Sequence, residues 1–466
     1  MSSWFRRKPI GELAPTGPRL VATLSWQHLV ALGVGAIVGT GILTLIGVGA
    51  ERAGPAVLLS FVIAGAICIC AALSYAELAT MMPAAGSAYT YSYVALGETV
   101  AWVVGWSLIL EYSLVVSAVA VGWSGYASPL LISVGFPEAL TKSPGLGGVI
   151  NLPAIVIIGI VAGLLLIGTR ESARVNTTLV IIKMAALALF IAVTLPAFDA
   201  SHFEPFMPHG FGKTAGVDGV ERGVMAAAAI IFFAFYGFDA ISTAAEETRD
   251  PERNLAIGIV GSMLVCTVIY IVVAATAIGA ARVERFANSP EPLALILREM
   301  GRYGVARIVA ISAVLALPTV LLAFLYGQSR IFLVMARDGF LPGGLASISG
   351  RGTPSRIIIV TAILVAILAG LLPIDQIAAL ANAGTLIAFM AVGACLLVLR
   401  RRAPDARRSF RAPAATLVGA GAILGCLYLF LSLPTRTLLW CLTWNVFGLI
   451  LYVTYARSRS LLARRT

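Results

Sequence analysis

The chain has 466 residues, 59% of them hydrophobic and only 12% charged, with a mean hydropathy of +0.95. That profile excludes a soluble globular domain and fits a polytopic helical membrane protein. The net charge of +11 then requires no nucleic-acid partner, because basic residues gathered in loops set topology.

Apolar runs of about twenty residues predict twelve spans, near 27–50, 54–79, 97–127, 149–168, 174–196, 222–246, 255–280, 303–333, 355–373, 376–399, 412–432 and 436–456. Arg6, Arg7 and Lys8 lead through a polar stretch into the first span without a small-residue cleavage pattern. With the N-terminus in the cytoplasm, 22 of the 33 Lys and Arg fall on that side and 10 on the other, leaving Lys183 within a span. Both termini are therefore expected in the cytoplasm. Between spans two and three, PAAGSAYTYSYVALGE has no basic residue and several aromatics, which reads as a short cytoplasmic helix partly sunk at the interface. Pro290-Glu291-Pro292 followed by LALILREM reads as a short helix on the outer surface. No linker divides the chain, so one integral domain is expected. Its parts are a cytoplasmic N-terminus (1–26), a core (27–399), two appended spans (400–456) and a cytoplasmic tail (457–466). The six cysteines lie in apolar segments and the three histidines are scattered, so no disulfide framework, metal site or cofactor is expected.

Two spans are interrupted. Span one, LGVGAIVGTGILTLIGVGA, carries Gly39-Thr40-Gly41 near its middle. Each Gly costs a helix roughly 0.5–1 kcal/mol relative to Ala. A break at bilayer mid-depth is tolerated only where it faces protein or a cavity. Close packing through small residues is the other reading. Span six, VMAAAAIIFFAFYGFDAISTAAEE, has Gly237 among aromatics, followed by Asp239. An ionisable residue mid-span costs about 2.5–3.5 kcal/mol, so it faces a cavity or a partner. Interrupted helices five spans apart point to an inverted-repeat secondary transporter with its site at the midplane.

The strings GVGAIVGTGI, SYAELATMMPAAGSAYTYSYVALGE, AWVVGWSLILEYSLVVSAVAVGWS, GTRESARVNTTLVIIKM, IFFAFYGFDAISTAAEETRDPERNLAIGI and YGQSRIFLVMARDGFLP make the chain resemble the cationic amino acid transporter subfamily of the amino acid–polyamine–organocation superfamily. The resemblance covers most of residues 20–345 and is looser over the last four spans. It implies an all-α, twelve-helix LeuT-like fold: a 5+5 inverted repeat with helices 1 and 6 broken, plus two C-terminal helices.

The same resemblance implies that a substrate carboxylate docks on backbone N–H groups around Val38, Gly39, Thr40 and Gly41. A half-helix N-terminus with orphan donors suits that role. The amino group would meet carbonyls of Ile37, Phe233, Ala234 and Tyr236. Phe233 resembles the family's aromatic gate, whereas Phe232 and Phe235 read as core packing. Span eight, SAVLALPTVLLAFLYGQSR, places Ala316, Leu317, Pro318 and Thr319 at the side-chain pocket. Leu317 is bulky and apolar, so small neutral amino acids such as alanine are expected, with arginine or lysine as the alternative. Pro318 is unexpected in the motif and would kink the helix by removing a hydrogen bond.

Lys183 lies about nine residues inside span five, too deep to snorkel. An amine held away from water can lose and regain a proton. In proton-coupled members of the superfamily, a Lys at this place resembles a stand-in for a sodium ion, tying span five to broken span one. A static ion pair with Asp239 or Glu111, the other deep acids, is the competing reading. The expected cycle is amino acid:proton symport in a lipid bilayer, with exchange as an alternative. Clustered His or Asp-rich metal motifs of a membrane enzyme do not occur in the sequence, nor does a phosphate-binding Gly-x-x-x-x-Gly-Lys loop.

Overall fold

A computed structural model describes residues 6–9, 20–216, 220–287, 289, 291–372, 374–433 and 435–464. Residues 1–5 and 10–19 of the expected N-terminal segment, Pro290, and the last two residues of the expected tail lie outside them. The first run breaks into α1 (Trp26–Ile37), α2 (Thr40–Leu43) and α3 (Leu45–Ala53). Next come α4 (Val57–Met81), α5 (Ser87–Ala95), α6 (Glu98–Ser133), α7 (Leu152–Ile167) and α8 (Thr169–Thr194). A short hairpin, β1 (Thr214–Ala215) with β2 (Glu221–Arg222), precedes α9 (Val224–Ile231) and α10 (Ala240–Thr243). The remainder is α11 (Pro251–Ala280), α12 (Val283–Phe286), α13 (Pro292–Glu299), α14 (Tyr303–Ala316), α15 (Pro318–Arg337), α16 (Ser355–Leu371), α17 (Ile374–Arg402), α18 (Ala415–Leu431) and α19 (Thr435–Leu451).

Among the described residues, nine helical segments are long and apolar enough to cross a membrane. Three further apolar helices, α7, α16 and α18, have 16 or 17 residues each and coincide with predicted spans four, nine and eleven. Large apolar side chains such as Ile181, Val268, Ile363 and Leu424 stand more than half exposed on the outer flanks. Hydrocarbon is the solvent that tolerates such a surface.

The core sits where the broken helices cross. α1 packs against α8, α11 and α15, α4 lies along α11, and α6 is sandwiched by α15 and α17. Glycines permit the central crossing. Gly237 has φ +114°, and a Cβ there would collide with Ala36. A Cβ at Gly41 would overlap the backbone of Ala234. Both interruptions are therefore backbone-against-backbone contacts that a side chain would prop open.

Both ends of the chain meet on one face. Lys8 Nζ pairs with Asp338 at 2.6 Å, and Leu461 donates its backbone N–H to the Asp338 carbonyl at 3.0 Å. The helix between spans two and three exists as α5, but every one of its residues is buried. It is not sunk at a lipid interface. Tyr89 donates to Asp338, and Tyr93 to Glu98, so its aromatics serve internal hydrogen bonds. The helix after Pro290-Glu291-Pro292 also exists, as α13.

Candidate transport site

Helix α1 stops at Ile37 because Val38 turns extended (φ −75°, ψ 96°). The last turn of α1 therefore ends with carbonyls lacking helical donors. Lys183, on α8 and only 3% exposed, reaches them. Its Nζ donates to Gly35 O at 2.7 Å, Val38 O at 2.6 Å and Thr319 Oγ1 at 2.9 Å. An ammonium has three donors, and here each meets one oxygen. The Thr319 hydroxyl, on α15, in turn lies 2.9 Å from Gly35 O and 2.6 Å from Ala316 O. One side chain thus joins α1, α8 and α15.

The competing reading of Lys183 as one half of an ion pair does not match this geometry. Asp239 accepts instead from the Tyr112 hydroxyl and, at 3.2 Å, from the Gly237 N–H. Glu111 is buried against α17, where a Cβ at Gly384 would sit 2.9 Å from its own Cβ. Neither Glu111 oxygen has a hydrogen-bond partner among the described residues. A buried carboxylate without donors is costly.

The second break follows the same logic. α9 tightens into a 3₁₀ turn over Phe232–Phe235, and the chain then runs through Gly237 before α10. Tyr270 of α11 spans the two breaks, with its hydroxyl 2.6 Å from Ile37 O and 3.0 Å from Ala234 O. Those are two of the carbonyls expected to meet an amino group. Tyr236 is held by Asn382 of α17.

Between the breaks lies a cavity of about 10 Å³, lined by Ala36, Ile37, Gly39, Gly41, Val115, Val119, Phe233, Tyr236, Val320 and Phe324. Its size suits about one water. Phe233 lines it and keeps partial exposure, while Phe232 and Phe235 are fully buried against Phe389 and Phe61. Ile37, Gly39, Gly41, Phe233 and Tyr236 are thus gathered on one cavity. Val38 and Ala234 are not in its lining, and their carbonyls accept from Lys183 and Tyr270. Thr40 opens α2.

On the α15 side, the walls are Val320 and Phe324, one and two turns beyond Leu317. Leu317 stands behind them, fully buried, 3.9 Å from where a Cβ at Gly39 would be. Val320 Cγ2 would be 2.6 Å from the same point. Sequence reasoning did not single out Val115, Val119, Val320, Phe324 or Tyr270. Only Tyr270 carried a signal, as a polar group within an apolar run.

Toward the face shared by the termini lies a second tightly bonded layer. Arg330 and Glu247 form a pair that is 1% and 0% exposed, at 2.8–2.9 Å. The Glu247 carbonyl accepts the N–H groups of Thr23 and Leu24, both at 2.9 Å, and Arg249 N–H returns a bond to Leu24 O at 2.8 Å. The segment leading into α1 is thereby zipped onto the segment leaving α10. Of the charged residues that follow span six, Glu247 is thus interior, whereas Glu252 meets the exposed Arg407. Glu77 is held by Arg400, Arg408 and the Ala412 N–H.

A helical membrane chain with two facing breaks over a small apolar cavity is the setting for comparison with known proteins. Residues 24–454 match the amino acid permease family. The chain belongs to that family. It is similar over nearly its whole length to the branched-chain amino acid permease BcaP of Bacillus subtilis (strain 168), with 44% identity and 98% of each chain covered. The methylthioribose transporter of the same organism is 40% identical over 99% of this chain and 100% of that one. The vacuolar cationic amino acid transporter 4 of Arabidopsis thaliana is 36% identical over 87% of this chain and 68% of its own. The family expected from the sequence strings is therefore the one found, and amino acid transport is what this permease family implies for the chain.

Proposed function

We propose that the chain imports small to branched apolar amino acids, from alanine to leucine, by proton-coupled symport and alternating access. The observation that carries the coupling is the Lys183 ammonium, seated on Gly35 O, Val38 O and Thr319 at the break of the first span. A neutral amine has fewer donors than an ammonium and cannot satisfy all three oxygens. Proton loss toward the cytoplasm therefore loosens α1 from α8 and α15, and proton gain draws them together.

The substrate class rests on the wall. Val115, Val119, Val320 and Phe324 supply no carboxylate for an arginine or lysine head. The similarity to a protein named a branched-chain amino acid permease points the same way. The carboxylate would take N–H groups at Gly39–Gly41, and the amino group would compete with the Tyr270 hydroxyl for the carbonyls of Ile37 and Ala234. Because the cavity is only about 10 Å³, entry requires the half-helices to part.

The frame of this reading is twelve membrane helices in a LeuT-like 5+5 inverted repeat, with a core over 27–399, appended helices over 400–456 and cytoplasmic segments at 1–26 and 457–466. The protein sits in the inner membrane with both termini cytoplasmic. The bundle of spans 1, 2, 6 and 7 moves against spans 3, 4, 8 and 9. Glu111 and Asp239, beside the second break, serve as further acceptors during proton exchange.

Uptake of labelled alanine, leucine and arginine into sodium-free proteoliposomes under an inward proton gradient tests the reading. Gradient-driven accumulation of alanine or leucine is expected. Accumulation of arginine in their place overturns the substrate class, and uptake that requires sodium overturns the coupling.

A further inference from the structure

Pro318 has no N–H, so the carbonyl four residues back, at Val314, loses its helical donor. An orphan carbonyl at membrane depth must find a partner within the protein. It finds one on a different helix: the Trp123 indole of α6 donates Nε1–H to Val314 O at 2.7 Å.

Trp123 follows Val115 and Val119 at spacings of four, so the three share one stripe of α6. The first two line the cavity. On the other side of the Pro318 interruption, Val320 lines the cavity and meets Gly39, and Thr319 holds Lys183. The bond therefore ties α14, on the far side of Pro318 from Thr319 and Val320, to the helix that carries Val115 and Val119.

We infer that Trp123 is a positioning residue for substrate size: by occupying the carbonyl that Pro318 orphans, it holds the Val320 wall close to the Val119 wall. This inference rests on the amino acid transport proposed above. Without the indole donor, α14 packs less tightly on α6 and the gap widens, so larger apolar side chains gain relative to alanine.

The experiment is uptake by the full-length chain in proteoliposomes, with KM and maximal rate measured for alanine, leucine and phenylalanine. Trp123→Phe keeps an aromatic ring and removes the donor. The ratio of alanine KM to phenylalanine KM is expected to rise about fivefold, the factor one neutral hydrogen bond is worth, with the maximal rate for alanine little changed. Pro318→Ala restores a backbone N–H for Val314. In that background Trp123→Phe is expected to shift the ratio by less than about twofold, because the shared partner makes the two changes non-additive.

Additive effects, or an unchanged ratio in Trp123→Phe, overturn the inference and leave the transport reading standing. Wild-type protein that carries none of the three amino acids defeats the transport reading and the inference with it. If Trp123→Phe alone does not fold, recovery of folding in the Pro318→Ala background supports the shared carbonyl. Misfolding in both backgrounds overturns it.

Discussion

We expect the buried pair of Arg330 and Glu247 to hold shut the face shared by the termini. Glu247→Gln keeps the size of the side chain and removes the charge that faces a guanidinium 1% exposed. Arg330 remains stacked 3.8 Å over the Tyr326 ring and bonded to Ser329 Oγ, but its charge loses its buried counterpart. Breaking such a pair from one side costs about 3–5 kcal/mol. The backbone of the same residue carries Thr23 and Leu24, so the loss falls on the closed arrangement of α1. If opening releases Arg330 to water, the closed-to-open ratio falls by a factor of roughly 100 or more. The assay is maleimide labelling of Leu24→Cys, a position 4% exposed, in membrane vesicles with and without Glu247→Gln. Faster labelling together with impaired gradient-driven uptake is expected. Labelling at the parental rate with normal uptake refutes the assignment of this pair as the closure.

Other outcomes follow from the same contacts. Gly41→Ala drives a methyl into the Ala234 backbone, and overpacking of that kind costs about 1–3 kcal/mol; the purified protein should lose both thermal stability and substrate binding. Phe233→Ala removes an aromatic wall of the cavity while leaving Phe232 and Phe235 in the core, so KM for leucine should rise about tenfold with the melting temperature within a few degrees of wild type. Glu111→Gln leaves no charge-assisted bond unmade among the described residues, so folding should be unaffected. A role for Glu111 in proton exchange then appears as reduced gradient-driven uptake with retained substrate exchange, and full gradient-driven uptake removes it from the coupling.

The breaks in spans one and six were legible because glycine is the residue a backbone crossing demands, and Gly39, Gly41 and Gly237 stand in runs otherwise suited to a helix. Lys183 was legible for the opposite reason: nothing in lipid accounts for an ammonium so far from either end of its span. Its partners were not readable from residue types, because two of the three are backbone carbonyls. The pocket wall shifted by a turn, from Leu317 to Val320 and Phe324. Pro318 interrupts the helix there, and its consequence depends on Trp123, almost two hundred residues away. Helix α5 was misplaced at the interface because tyrosines suit both an interfacial belt and a buried hydrogen-bonded layer. The choice between them lies in distant acids, Glu98 and Asp338. Val115 and Val119 carry no chemical mark that separates a cavity wall from lipid-facing packing.

The proposed coupling is that a proton held by Lys183 enters with the substrate. Its most direct test is the proton flux that accompanies substrate entry, read with a trapped pH dye in sodium-free proteoliposomes, for wild type and Lys183→Ala. Acidification of the lumen is expected on adding alanine or leucine to wild type. No substrate-dependent acidification is expected in the variant, even where exchange of labelled substrate persists. Substrate-dependent acidification of equal size in Lys183→Ala would remove Lys183 from the coupling.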